Sequence, residues 1–295
     1  LLQRQANASP GKKGTMKMAA PVQRFVEKHI GKAWIASVFA FLYLPLFYLI
    51  LFSFNSTRQD TRFTGFSLRW YEAMFNDSRL IEGFLLSLRV AMISATFSAV
   101  LGTLAAFVLV RYKRFPGSTL FSGMVNAPLI MPEVIIGLSL LLLAVAVQRA
   151  VGWPDRGTVT IVLGHTLMGM AYATVVVQSR LQEMNRSLEE AAMDLGCRPL
   201  QVFTLVTLPN IAPGIIAAWL LSFTLSFDDL VISEFLSGPG VTTLPQVIFS
   251  YARRGVNPTI FAAAALLIAV VTIAVIIYSI VLARQTRRLK RLNKG

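Results

Sequence analysis

The sequence is poor in charged residues and contains one cysteine, Cys197. Charged side chains occupy 14% of the 295 positions and hydrophobic ones 55%, whereas soluble domains carry about 25% charged residues. The composition therefore excludes an ordinary soluble domain and predicts a protein that crosses a membrane several times. A single cysteine also excludes an internal disulfide framework.

Histidines and phosphate-binding motifs are also scarce. The two histidines, His29 and His165, lack metal-ligand spacing, and His165 lies in an apolar segment where a hydrogen-bonded core residue is expected. The glycine-rich phosphate loop of ATPases does not occur, so the chain is not expected to be an enzyme that hydrolyses ATP.

The net charge of +14 is better explained by basic flanks of membrane spans than by a nucleic-acid partner. Neither a metal nor another cofactor is expected.

Six apolar runs predict an all-α integral membrane protein with six transmembrane helices. The runs comprise residues 33–54, 84–110, 119–147, 159–177, 211–236 and 259–283. The shortest has 19 residues, close to the ~20 needed to cross about 30 Å of hydrocarbon at 1.5 Å per residue. The third run is irregular, because Pro128 and Pro132 interrupt it and Glu133 follows directly.

The distribution of Lys and Arg predicts the orientation of the spans. Segments on the side of both termini hold 19 of these residues and the opposite segments hold 8. Since positive residues accumulate on the cytoplasmic side, both termini are expected in the cytoplasm. Residues 1–32 are predicted to be a basic cytoplasmic segment that is disordered except for a short surface helix over residues 22–32. Residues 33–283 are predicted to form one membrane domain and 284–295 a basic cytoplasmic tail. A natural start near Met16 or Met18 is expected.

Residues 187–209 combine charge with helical periodicity between two apolar runs. Ser187 and Glu190 have the spacing of a capping box, which predicts a helix start, and Gly196 permits a backbone conformation that ends a helix. A second short amphipathic run then ends at Pro209. The pattern predicts a helix-turn-helix on the cytoplasmic surface, and such a segment has little reason to exist unless another protein docks on it.

This stretch resembles the EAA loop of binding-protein-dependent ABC importer permeases. The matching residues are Glu190-Ala-Ala192, Gly196, and Val206-Thr-Leu-Pro209, and the family usually has Ile where Val206 stands. The resemblance implies the type I ABC importer permease fold and a coupling helix that sits in a groove of an ATPase subunit. It assigns ATPase coupling to Glu190, Ala191, Ala192, Asp194, Gly196 and Pro209. The alternative is an ordinary capped cytoplasmic loop.

The predicted spans contain four acidic residues, Glu133, Asp228, Asp229 and Glu234. A charged side chain in hydrocarbon costs about 3 kcal/mol, so each should face a cavity, a partner or a substrate. On the fifth span, three- and four-residue steps place on one helix face Trp219, Ser222, Ser226, Asp229 and Ser233. A polar face with an aromatic ring and a carboxylate suits a path for a cation.

Structural roles for the four acidic residues remain open. Asp228 and Asp229 diverge by about 100° on a helix, so they cannot both point into one path, and either can accept hydrogen bonds from helix or loop amides. Glu234, near the outer end of its span, can simply be solvated. Glu133 either satisfies free amides at a helix start after Pro132 or acts as a ligand group at a broken helix.

Further motifs resemble the polyamine branch of these permeases. They are Ser226-Phe-Asp-Asp-Leu-Val-Ile-Ser-Glu-Phe-Leu-Ser-Gly-Pro239 followed by Thr243-Leu-Pro245, Met131-Pro-Glu-Val-Ile-Ile-Gly137, and Arg69-Trp-Tyr71. The similarity covers about residues 34–284, and the branch often has Asp where Glu133 stands. Polyamines carry two to four positive charges, so carboxylates and aromatic faces match their chemistry.

The resemblance implies a permease subunit of an ATP-driven putrescine or spermidine importer in the bacterial cytoplasmic (inner) membrane. It also implies a homologous second permease, two ATP-binding subunits at the coupling loop and a periplasmic substrate-binding protein. The residues expected along the substrate path are Asp229, Asp228, Glu133, Trp219, Ser222, Ser226 and Glu234. The alternatives are an importer of the same family for iron, phosphonate or another small solute, and an ion-driven secondary transporter that uses the carboxylates as a relay.

Overall fold

The structure of the chain is a computed structural model. It describes residues 20–58, 62–112, 115–255 and 258–270, together with 272, 273, 276 and 280. The helices in chain order are α1 (Ala20–Ser53), α2 (Arg69–Phe75), α3 (Ser78–Arg111), α4 (Ser118–Ile130), α5 (Glu133–Val151), α6 (Thr158–Glu183), α7 (Ser187–Asp194), α8 (Pro199–Val202), α9 (Leu208–Phe227), α10 (Val231–Leu236), α11 (Leu244–Arg253) and α12 (Pro258–Val270). A π-helical segment, Phe203–Thr207, joins α8 to α9.

Five helices in the described part of the chain are long and apolar enough to cross a membrane. They are Ile30–Ser53, Ser78–Arg111, Glu133–Val151, Thr158–Glu183 and Pro199–Phe227. The sixth predicted span, residues 259–283, is described continuously only as far as Val270, within the apolar helix α12. The count of six spans therefore stays a prediction.

The core lies where α3, α6 and α9 pack against one another. Small residues occupy these contacts. Gly102 of α3 lies against Ala173 and Thr174 of α6, and Ser222 of α9 donates a hydrogen bond to the Gly169 carbonyl of α6 at 3.2 Å. Small side chains let transmembrane helices approach closely, and hydroxyl groups hydrogen-bond across them. The three helices therefore form the closely packed core of the described chain.

The Gly102→Ala substitution is expected to destabilise this core. A Cβ atom at Gly102 would lie 2.9 Å from the Thr174 backbone nitrogen and 2.6 Å from the Ala173 Cβ. Overpacking of this kind costs about 1–3 kcal/mol, so the unfolding temperature of the purified protein should fall. Gly123→Ala in α4 is the control, because no atom lies within 4 Å of its added Cβ and alanine favours helix. Equal unfolding temperatures for the two variants would contradict the close packing of α3 on α6.

The predicted interruption at Pro132 is confirmed, because a break at Met131 and Pro132 separates α4 from α5 within residues 119–147. Met131 is extended, with φ −80° and ψ 141°, the conformation that a residue before proline favours. Pro132 also lacks the N–H group that a continuing helix would use. Pro128, in contrast, lies inside α4. The break makes Glu133 the first residue of a new helix.

The fifth predicted span is also two helices, because residues 228–230 separate α9 from α10. The Asp229 carboxylate accepts hydrogen bonds from the N–H groups of Ser233 at 2.8 Å and Ile232 at 3.3 Å. It therefore satisfies the free amides at the start of α10 in the way a capping side chain does. The prediction of one continuous polar face from Trp219 to Ser233 is wrong, since those residues lie on different helices.

The start of the fifth span also differs from the prediction. Residues Pro199–Phe227 form one uninterrupted helix made of α8, the π-helical segment and α9. The second helix of the predicted helix-turn-helix therefore does not end at Pro209, which lies in the first turn of α9. A proline has no N–H to donate, and the wider π-helical turn directly precedes it. The coupling loop is thus continuous with a membrane span.

The first helix begins earlier than the sequence predicts. Because α1 starts at Ala20, the short helix predicted for residues 22–32 is part of a helix that continues into the first span. Residues 1–19 and the predicted tail, 284–295, lie outside the described residues. Two short helices in the predicted outer loops, α2 and α11, are not predicted from the sequence.

Candidate functional site

The coupling stretch, residues 187–209, begins with a cap that differs from the predicted one. Ser187 is the first residue of α7 and not its N-cap, which is Arg186, and the Ser187 N–H donates to Asn185 Oδ1 at 3.0 Å. The predicted capping box of Ser187 with Glu190 is therefore wrong, and the Asn185 side chain satisfies one amide at the helix start. The Glu190 side chain is exposed and lies 3.5 Å from Arg186.

The end of α7 is the glycine turn that the sequence predicts. Gly196 has φ +89°, in the left-handed region that glycine favours. The Cys197 N–H donates to the Ala192 carbonyl at 3.1 Å and the Gly196 N–H to the Met193 carbonyl at 2.9 Å. These two bonds form a Schellman motif, which ends the helix and satisfies its last carbonyls. The turn sets the direction in which α8 leaves α7.

The coupling stretch exposes large apolar side chains. Leu195 is 86% exposed, Leu200 73% and Leu205 68%, on a segment that also carries Glu190 and Asp194 in exposed positions. Exposed apolar groups among charged residues are typical of an interaction site. Of the predicted coupling residues, Ala192 alone is buried, and the exposed ones are Glu190, Ala191, Asp194, Gly196 and Pro209.

Glu189, which the sequence analysis does not single out, is the buried acidic residue of this stretch. Its Oε2 lies 2.8 Å from Arg111 Nε, and Arg111 Nη2 donates to its Oε1 at 3.0 Å. The Thr207 hydroxyl also donates to Oε1, at 2.7 Å. One carboxylate thus contacts α3, which ends at Arg111, and the π-helical segment.

A cavity of about 30 Å³ lies where the two helix breaks meet α6. Its lining includes Glu133 from the start of α5, His165 and Tyr172 from α6, Ser226 from α9, and Asp229. The cavity has room for about one water molecule and is far smaller than the 300–1,000 Å³ of typical ligand pockets. The sequence-predicted residues that it brings together are Glu133, Ser226 and Asp229.

A hydrogen-bonded network holds Asp229 in place beside this cavity. His165 is buried, with Nε2 3.0 Å from Asp229 Oδ2 and Nδ1 2.6 Å from the Ser226 hydroxyl oxygen. Because an ionised carboxylate only accepts hydrogen bonds, Nε2 is assigned as the donor to Asp229. In the neutral ring, Nδ1 then accepts from Ser226. Ser233 Oγ also lies 3.2 Å from His165 Nε2. The network therefore connects α6, α9 and α10.

The other predicted path residues lie outside the lining of this cavity. Ser222 is buried against α6 through its bond to Gly169, and its role as a path residue stays a prediction. Trp219 donates to the Thr96 hydroxyl at 3.1 Å. Asp228 is exposed at the end of α9. Glu234 is also exposed and accepts from Gln246 Nε2 at 3.1 Å.

Two cavity residues, His165 and Tyr172, are not among the predicted path residues. The expectation that His165 is a hydrogen-bonded core residue is confirmed, since both ring nitrogens have partners. Its partner Asp229 is 64 positions away, and no local pattern links the two. The available indication is the occurrence of a lone histidine in an apolar run.

The chain matches known transport proteins over most of its length. A family model described as "Binding-protein-dependent transport system inner membrane component" matches residues 98–289. The putrescine transport system permease protein PotI of Escherichia coli (strain K12) is 52% identical over 262 residues, which cover 87% of this chain and 93% of that protein. The spermidine/putrescine transport system permease protein PotC of the same strain is 35% identical over 252 residues, covering 85% and 92%.

Solved structures of bacterial ABC transporters share the fold. A chain of the transporter that imports the acidic polysaccharide alginate superposes with a TM-score of 0.68 at 14% identity, covering 90% of this chain and 99% of that chain. A chain of the inward-facing MetNI methionine ABC transporter gives a TM-score of 0.53 at 18% identity, covering 68% and 92%. At these identities, the likeness concerns the fold alone.

Proposed function

Because the chain belongs to the family of binding-protein-dependent transport system inner membrane components, we propose that it is a permease subunit of an ATP-driven polyamine importer. The observation that carries the proposal is the 52% identity to a putrescine permease over 87% of the chain. The two carboxylates at the cavity, Glu133 and Asp229, agree with a cationic substrate. The chain itself is a transport subunit and not an enzyme.

Two ATP-binding subunits are the proposed partners at the coupling stretch. Its exposed leucines would fill an apolar groove on the ATPase, and ATP hydrolysis would take place there. The Glu190 to Gly196 segment would transmit closure of the ATPases into the membrane domain. A homologous second permease and a periplasmic substrate-binding protein complete the proposed complex. Closure would switch the path from outward-open to inward-open.

We also propose six spans with both termini in the cytoplasm. The five spans found in the described residues and the apolar start of α12 support this number. The excess of 19 Lys and Arg residues over 8 supports the orientation. This arrangement places the coupling stretch on the side of the membrane where ATP is available.

The substrate path would run past the cavity beside the two helix breaks. Interrupted helices near mid-membrane are common at transport sites. Because the cavity within this chain holds about one water molecule, the second permease would supply the other wall of the path. Glu133 is exposed at the first turn of α5 and would meet the amine directly, while the network around Asp229 would fix the wall behind it. Asp228, Trp219 and Glu234 would act through surfaces shared with the second permease.

ATP-driven uptake of labelled putrescine into vesicles holding the complete complex tests the proposal. Saturable uptake that requires ATP and the binding protein, and that spermidine but not an unrelated amino acid inhibits, is expected. ATP hydrolysis coupled to the binding protein without polyamine uptake would favour the same family with another substrate. Uptake by this chain alone, driven by an ion gradient, would instead establish the secondary transporter.

A further inference from the structure

We propose that Glu189 is a positioning residue that fastens the coupling stretch to α3, so that movement of the ATPase-docking surface is delivered through α3. This inference rests on the proposed function of the coupling stretch. It concerns a residue next to the matched Glu190-Ala-Ala192 motif and outside it. Glu189 would touch neither substrate nor ATP and would act through the elements that it connects.

The contacts of Glu189 form a three-way junction. Arg111 contacts both carboxylate oxygens, with Nη2 donating to Oε1 at 3.0 Å and Nε 2.8 Å from Oε2 in an ionic contact that is not a hydrogen bond. Thr207, which is fully buried, donates to Oε1 at 2.7 Å. The ion pair is shielded, since the side chains of Arg111 and Glu189 are 12% and 9% exposed. A shielded pair of this geometry resists separation far better than a solvated one, because each charge left alone would be poorly solvated.

The neighbouring Glu190 shows the contrast. Its side chain is 59% exposed, and its ion-pair partner Arg186, 3.5 Å away, is 67% exposed and on the same surface. Exposed pairs of this kind contribute little. Glu190 is therefore available to a docking protein, whereas Glu189 faces the membrane domain.

The junction links the coupling stretch to a helix that is distant in sequence. The stretch follows α6 and precedes α9, yet Glu189 is bound to Arg111, 78 positions earlier. α3 has 34 residues and spans about 50 Å at 1.5 Å per residue. At its opposite end, the N-cap Asp77 accepts a hydrogen bond from the Tyr251 hydroxyl of α11 at 2.7 Å. α3 thus connects the docking stretch to the opposite side of the protein as a single rod.

The test compares transport with ATP hydrolysis in the assembled, reconstituted complex. Glu189→Gln should reduce putrescine taken up per ATP hydrolysed at least about fivefold, because the neutral amide no longer holds Arg111 while the exposed docking surface is kept. The charge-reversed pair, Arg111→Glu with Glu189→Arg, should recover part of the lost ratio. Glu183→Gln is the matched control, since it removes a 2.8 Å ion pair with Arg180 that is exposed on α6, and its ratio should stay within twofold of wild type.

An unchanged ratio in an assembled Glu189→Gln complex would overturn the inference. If that variant does not assemble, Thr207→Val decides, because it removes one hydrogen bond to Glu189 and leaves the ion pair and side-chain shape in place. A lowered ratio in Thr207→Val would support the junction, and a wild-type ratio would refute it. Failure of the proposed function is distinguishable, because the wild-type complex would then show no polyamine uptake at all.

Discussion

The Asp229→Asn substitution is expected to lower ATP-driven putrescine uptake at least about tenfold. The Asp229 carboxylate accepts hydrogen bonds from the backbone of Ser233 and Ile232 and lies 3.0 Å from His165 Nε2. An amide has one acceptor oxygen and turns its NH₂ group toward one of these donors. Loss of a hydrogen bond to a charged group costs about 1.5–3 kcal/mol, and 1.4 kcal/mol corresponds to a factor of ten. The substitution also removes negative charge beside the proposed cation path.

The measurement is the initial rate of uptake in vesicles that hold equal amounts of assembled complex. Asp228→Asn is the informative neighbour, because Asp228 is exposed and outside the cavity lining, so its loss should be clearly smaller. Glu72→Gln, at an exposed position of α2, should leave uptake within twofold of wild type. Equal losses at positions 228 and 229 would argue that general negative charge, and not the Asp229 network, matters.

The acidic residues of the cavity are predictable from sequence because charge in an apolar run is a local feature. Glu133 and Asp229 line the same cavity. Their partners are not predictable in the same way. His165 meets Asp229 only because α6 packs on α9, and the serines at positions 222 and 226 turn toward α6 for the same reason.

The helix breaks show where periodicity stops being informative. Pro128 and Pro132 have the same local chemistry, yet α4 contains the first and ends before the second. The break at residues 228–230 has no proline at all. It depends on the Asp229 carboxylate satisfying the amides of α10, which replaces the hydrogen bonds of a continuous helix. Hydropathy therefore locates these membrane segments but not their interruptions.

In the coupling stretch, too, one feature is predictable from the sequence and another is not. The turn at Gly196 is predictable, because its glycine and the end of the helical pattern are adjacent in sequence, and the structure confirms it. Glu189 and Glu190 are equivalent as sequence, since both are acidic residues in the first turn of α7. Which of the two is buried depends on Arg111, at the end of a different helix.

The Gly196→Arg substitution is expected to reduce putrescine uptake about twentyfold or more while the complex still assembles. The backbone of Gly196 has φ +89°, and no atom lies within 4 Å of an added Cβ. A residue with a side chain therefore meets a conformational cost of about 1–2 kcal/mol but no steric clash within this chain. The arginine side chain instead enters the exposed surface beside Leu195, where the ATPase is proposed to dock. Uptake and ATP hydrolysis stimulated by the binding protein are measured on the same vesicles.

Two further variants separate backbone strain from an effect on docking. Gly152→Arg is the matched control, because Gly152 also ends a helix with positive φ, +79°, and has open space around it, but it lies on the predicted outer side. It should keep uptake within twofold of wild type. Gly196→Ala imposes the same backbone cost without the bulk, so retained uptake in this variant would place the effect of arginine at the docking surface. If Gly196→Arg instead leaves both uptake and stimulated ATP hydrolysis intact, residues 187–209 are not the coupling stretch, and the ATPases must engage another surface of the chain.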